Sequence, residues 1–199
     1  MQLGYTWDVI FYYEVGKERL DYLFSLGSNE VDESIHARRY LTGAYSTISA
    51  FIVQFFPRKY ILEAIYTINL SFSTLAIFGI YKITRELFNR QIGQITFLIC
   101  FFNPVFFGHM AMNSIDTIIA FANIWFFCEI LRYLKYQQNK KRRNSYVIYC
   151  GLLLGLGLGV RYSFLITLIP IFLFLLIEIF YLKIYINIKF SKKIFLLDS

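Results

Sequence analysis

The run Ile61–Ile83, ILEAIYTINLSFSTLAIFGIYKI, limits the chain more than any other stretch. A helix needs ~20 consecutive, mostly apolar residues to cross a bilayer, and this run has that length. Ile92–Phe107, Thr117–Tyr133, Tyr146–Val160 and Tyr162–Leu182 are apolar in the same way and read as further crossings. In hydrocarbon each backbone polar group must be satisfied within its own structure, so repeated runs of this kind dictate helices. The expected fold class is an all-α membrane protein, a polytopic helical bundle. A mean hydropathy of +0.52 over 199 residues leaves a soluble domain no use for so much apolar surface.

Charge then orients the bundle. Of the 20 Lys and Arg, 13 fall in three clusters, Lys82–Arg90, Arg132–Arg143 and Lys183–Lys193. Alternating crossings put all three on one side, which the positive-inside rule makes the cytoplasm. Residues 1–38 and 103–115 fall on the other side; 103–115 has no Lys or Arg, and the first 33 residues hold seven acidic groups. The expected location is a multi-pass protein of the plasma (inner) membrane. The basic clusters punctuate apolar runs rather than forming a face with stacking aromatics, so nucleic acid is not an expected partner.

Residues 1–60 are expected to form an outer-face loop with amphipathic, interfacial helices. Val9–Leu26 places Ile10, Tyr13, Leu20 and Phe24 at helical spacing. Tyr40–Phe56 is short and carries hydroxyls, so it reads as re-entrant or interfacial. The bundle proper spans 61–182, and 183–199 is a basic cytoplasmic tail, expected to be truncated. Cys100, Cys128 and Cys150 fit neither a metal motif nor a disulfide framework and read as packing residues. Gly151, Gly155 and Gly159 are four apart and share one helical face, a pattern that lets a neighbouring helix approach closely. GLGLGV is not a dinucleotide loop, because no soluble strand precedes it.

Candidate functional residues collect on the outer side. Asp116 opens the helix after the polar stretch 103–115. An acidic group there is costly unless it serves a site, or it is simply a first-turn carboxylate favoured by the helix dipole. Asp8 lies in an acidic loop and, alone, is a solvated carboxylate. His109 is either an interface histidine or a contact to substrate. Arg161 snorkels to a headgroup or binds a lipid phosphate. Arg38 and Arg39, beside His36, carry the same two readings.

Three motifs in order resemble the PMT/ArnT-like integral-membrane glycosyltransferases of the GT-C class, in particular their RgtA/B/C/D-like domain. YKITRELFNRQIGQITFLICFFNP is similar to that family's helix, basic turn and returning helix closing in Asn-Pro. FFGHMAMNSIDTIIAFANIW resembles its outer loop with an Asp opening the next helix, and GLLLGLGLGVRYSFLITLIP its Gly-rich helix followed by a basic residue and a helix with Pro. Together they cover over half the chain, from Ile61 to Pro170.

The resemblance implies a bundle of GT-C type that transfers a sugar from a polyprenyl-phosphate donor to a hydroxyl of a lipid-linked glycan or protein, facing the periplasm or cell exterior. It also implies a catalytic Asp in the first outer loop. GYTWDVIFYYEVG matches with Asp8, although Val9 stands where the family's second acidic residue would be. Asp8 is then the expected general base and Asp116 a second carboxylate. Arg161 contacts the donor phosphate, and Arg38, Arg39 and His109 contribute to substrate binding. A divalent ion, if the reaction uses one, would sit on Asp8 and Asp116. Family members carry a further span before the first outer loop and more beyond, so the chain is expected to be an N-terminal-half fragment. Two other readings stay open, a transporter or channel without transferase activity and a non-catalytic remnant of the same fold.

Overall fold

The computed structural model describes residues 7–28, 43–104, 106, 114–136 and 139–181. All regular structure among them is helical: α1 (Trp7–Phe24), α2 (Ala44–Val53), α3 (Ile61–Leu87), α4 (Arg90–Phe101), α5 (Ser114–Lys135), α6 (Lys140–Val160), α7 (Phe164–Thr167) and α8 (Ile169–Tyr181). A single 3-10 turn, Arg58–Tyr60, leads into α3. The tail 183–199 lies outside the described residues.

Two helices are long and apolar enough to cross a membrane, Arg58–Leu87 and Ile115–Lys135. At 1.5 Å per residue, α3 runs about 40 Å and α5 about 33 Å, each longer than a ~30 Å hydrocarbon layer. α2 has ten residues, about 15 Å, and cannot cross by itself, in keeping with its hydroxyl-rich sequence. α4 stops after 12 residues at Phe101 and is about 18 Å long, shorter than the apolar run suggests. Asn103 and Pro104 follow its last turn, and a helix seldom continues through the residue before proline. Between α3 and α4 the chain reverses at Asn89, whose side chain accepts from the Ile92 amide at 2.9 Å. Asn139 caps α6 in the same way from Arg142 N–H at 3.2 Å.

α3 lies between α4 and α5, and α6 packs on the other side of α5. Between lipid-embedded helices the hydrophobic effect gives little, so close packing and hydrogen bonds must hold the bundle. Gly79 lets α5 approach: a Cβ there would lie 2.7 Å from Ile124 Cγ2. Beside it the Trp125 indole donates to the Leu75 carbonyl at 2.9 Å. At one end of the pair Lys135 Nζ meets Glu86 Oε2 at 2.8 Å, and toward the other Ile118 packs near Ile68. α3 and α5 therefore run parallel. Lys82, Arg85, Arg132 and Lys135 gather at one end of the bundle, and Asp116 and Arg161 stand at the opposite end. The first two basic clusters thus share one end of the bundle; the third, Lys183–Lys193, lies outside the described residues.

α1 lies antiparallel on α2, and the four residues read at helical spacing divide between a packed and an exposed side. Val9, Gly16 and Leu20 are buried with Tyr13 packed beside them, whereas Ile10 and Phe24 are exposed, Phe24 by 69%. Gly16 sets the register. Without a side chain it sits directly against the Ser46 carbonyl, and positions 9, 13, 16 and 20 share its face. The glycine face of α6 also differs from expectation. Only Gly159 meets a neighbour, Ala44; Gly151 and Gly155 have open space where a Cβ would stand, and Gly157, off that face, packs on Phe164. The three cysteines are free thiols, Cys128 buried and the other two partly so. The last apolar run is broken at Leu168 into α7 and α8. Pro170 has no amide to give to the Ile166 carbonyl, which accounts for the break.

α2 docks on α3 through polar groups. The Tyr45 hydroxyl donates to Asn69 Oδ1, with both residues buried and Ser46, Ser49 and Ser73 buried among the same two helices. Removing one partner of a buried hydrogen bond costs about 1–3 kcal/mol. Tyr45→Phe is therefore expected to lower stability by about that amount, read as a fall in melting temperature in detergent. An unchanged melting temperature would show that the bond contributes nothing net.

Candidate functional site

The structure brings Asp116 and Arg161 together. Asp116 stands in the first turn of α5, and Arg161 leaves the end of α6 in an extended conformation (φ −160°, ψ 133°) that breaks the helix before α7. Its amide still closes the α6 turn, donating to the Gly157 carbonyl at 3.1 Å, while the side chain swings away. Arg161 Nη1 lies 3.7 Å from Asp116 Oδ1, with 53% and 64% of the two side chains exposed. The pair is loose and wet, so it contributes about 0–1 kcal/mol to the fold. Its use is placement: a carboxylate and a guanidinium are held in one solvent-open spot. The helix dipole favours the carboxylate there, and the guanidinium can bind a phosphate in its fork geometry.

Two other elements close around this spot. Tyr45, Ile118 and Val160 form one buried cluster, with Ile115, Ile119 and Leu156 packed against it. The cluster joins α2 to the first turns of α5 and the last turn of α6. Gly159 lies so close to α2 that a Cβ would stand 2.7 Å from that of Ala44. α1 adds a cation that the sequence reading missed. The Arg19 guanidinium lies over Gly43, where a Cβ would overlap it, and near Tyr162, the residue after Arg161. Burial pulls its pKa below the ordinary arginine value, opposed by Tyr162. The available signal was positional: Arg19 stands three residues after Gly16, on the packed side of α1.

Asp8 is placed only by its backbone, in the first turn of α1. The next residue, Val9, packs against Val53 and the start of α3, at the end of α2 opposite Tyr45. From Tyr45 to Val53 is about 12 Å along α2. The Asp8 side chain, His109, Arg38 and Arg39 lie outside the described residues, so the expected meeting of these groups with Asp116 is carried by Arg161 alone. Among the described residues no group of three or more His, Cys, Asp or Glu is arranged to hold a metal ion. Grooves also lie lower in the bundle. One of about 480 Å³ includes Asn123, Thr167 and Pro170, and another of about 420 Å³ includes Trp125, Glu129 and Arg132.

The sequence pattern of the dolichyl-phosphate-mannose-protein mannosyltransferase family fits residues 58–190, about two thirds of the chain. Asp116 and Arg161 lie inside the matched region; Asp8, Arg38 and Arg39 lie before it. No curated protein and no solved structure matches the chain.

Proposed function

Because the chain belongs to the dolichyl-phosphate-mannose-protein mannosyltransferase family, and so to the membrane glycosyltransferases of GT-C type, we propose that the Asp116–Arg161 end of the bundle is its transfer site. The donor is a polyprenyl-phosphate sugar, and the acceptor is a hydroxyl of a lipid-linked glycan or a protein. The site faces the non-cytoplasmic side of the plasma membrane, opposite the basic end of the bundle. The observation that carries this reading is the 3.7 Å approach of Arg161 to Asp116, two residues 45 positions apart, at the end of two membrane-length helices away from Lys82, Arg85, Arg132 and Lys135.

Chemically, the acceptor oxygen attacks the anomeric carbon as its proton passes to a carboxylate. The bond from that carbon to the phosphate oxygen breaks, and polyprenyl phosphate leaves with the electron pair. A carboxylate base supplies the first requirement. Positive charge fixed at the departing phosphate supplies the second. Asp8, on α1, is the proposed base. Asp116 orients the acceptor and holds Arg161 ready, and Arg161 takes the phosphate, with Arg19 as a second cation at the same rim. Arg38, Arg39 and His109 are proposed as further substrate contacts. If the reaction uses a divalent ion, Asp8 and Asp116 would hold it.

The test is transfer of labelled sugar from polyprenyl-phosphate donors by membranes containing the protein. A charge-assisted hydrogen bond is worth about 1.5–3 kcal/mol, so Arg161→Ala should lower kcat/KM for the donor about ten- to a hundredfold. Arg161→Lys should recover part of the loss, since it keeps the charge without the fork. Absence of turnover with every such donor, or full turnover in Arg161→Ala, overturns the proposal.

A further inference from the structure

At the opposite, basic end of the bundle lies a second place built to hold a ligand. Phe121, Trp125, Glu129 and Arg132 recur at helical spacing along one side of α5. With Leu75 of α3 and Leu152 and Leu153 of α6 they line a groove of about 420 Å³. Its walls are apolar from Phe121 to Trp125, and its other end is ionic. From Phe121 to Arg132 the groove follows α5 for about 16 Å, roughly the depth of one leaflet of a ~30 Å hydrocarbon layer.

The ionic end is incomplete. Glu129 is a buried carboxylate with 7% of its side chain exposed. Its Oε1 accepts from Arg132 Nη1 at 3.0 Å, but its Oε2 is buried with no hydrogen-bond partner. A charged oxygen left without a donor in a membrane helix is expensive. Lys82, the other cation whose charge reaches Glu129, lies over the rings of Phe78 and Trp125, 5.1 Å from each centroid. Rotation about the last side-chain bond of Glu129 meets only broad preferences and can turn either oxygen to the groove. Arg132, 20% exposed, gives Glu129 one of its five N–H donors through Nη1. A ligand that completes this end must therefore offer a hydrogen-bond donor to a carboxylate and an anionic oxygen to a guanidinium. It must also carry an apolar chain about one leaflet long.

We propose that this groove binds a phospholipid of the leaflet at the basic end, with a primary-amine zwitterionic headgroup. The ammonium completes Glu129, the phosphate lies on Arg132, and one acyl chain runs along Trp125 and Phe121. Glu129 lies six residues before the end of α5, about 9 Å along the axis, which sets the headgroup near the bilayer surface. The site is separate from the Asp116 end and does not depend on the function assigned there.

Native mass spectrometry of the purified protein exchanged into phosphatidylethanolamine, phosphatidylcholine or phosphatidylglycerol tests the site. The quaternary amine of phosphatidylcholine has no N–H to give, and phosphatidylglycerol has no cation for Glu129. Retention of phosphatidylethanolamine should exceed both by about tenfold or more, the equivalent of one charge-assisted hydrogen bond. Glu129→Gln should bring the three lipids to near parity. Leu152→Trp, which fills the groove from an exposed position without touching the ion pair, should abolish retention of all three. Equal retention by the wild type, selectivity that survives Glu129→Gln, or binding unchanged by Leu152→Trp would each overturn the proposal.

Discussion

Asp116→Asn is expected to lower sugar transfer by about two to three orders of magnitude, the scale of a lost acid–base or orienting carboxylate, while the protein folds and inserts as before. The two halves of this expectation come from different observations. The fold should tolerate the change because Asp116 is mostly exposed and its pair with Arg161 is long, a combination worth about 0–1 kcal/mol. A helix-dipole contribution from the first turn adds about 0.3–1 kcal/mol at most. Asparagine keeps the size of the side chain and its hydrogen-bonding oxygen, so a purely structural role at the helix end would survive the substitution. A charge that fixes Arg161 and orients an acceptor would not. Transfer per folded molecule, with folding followed by melting temperature, separates the cases. A small drop in melting temperature with normal transfer would reduce Asp116 to a helix-end residue and remove it from the site.

What could be read in advance follows from what each signal contains. Apolar length dictated α3 and α5, because bilayer thickness acts on any such helix whatever it packs against, and alternation put the first two basic clusters at one end. The meeting of Asp116 with Arg161 was legible for the same reason, since alternation alone put both at one end. Packing was less legible. The spacing of Gly151, Gly155 and Gly159 says that they share a face but not whether a neighbour covers it, and only Gly159 has one. In α1 the spacing grouped Ile10 and Phe24 with Tyr13 and Leu20, yet only the latter two pack, because the helix is seated by its smallest residue, Gly16. Arg19 was missed on the same account. A cation joins the rim only once the α1–α2 register is known, and that register depends on atoms of both helices.

Gly16→Ala should be among the most damaging single changes in the chain, although it adds one methyl group. The new Cβ would stand 2.1 Å from the Ser46 carbonyl oxygen and 3.1 Å from Ala50 Cβ. The first contact is with backbone, which cannot turn aside as a side chain can, so α1 must lift from α2. Overpacking at a well-fitted contact costs about 1–3 kcal/mol, and displacing a whole helix puts this case at the upper end. The effect should be local. Hydrogen exchange in α1 should accelerate sharply, while α3 and α5, which pack on each other, keep their protection. Because α1 carries Asp8 and Arg19, transfer should fall with it if the proposed site is right. Gly151→Ala is the matched control: open space awaits its methyl, and alanine is the better helix former by about 0.8–1.0 kcal/mol, so it should be neutral or stabilising. If exchange in α1 were unchanged in Gly16→Ala, the close seating of α1 on α2 would be wrong. With it would go the route by which residues near the start of the chain reach Asp116 and Arg161.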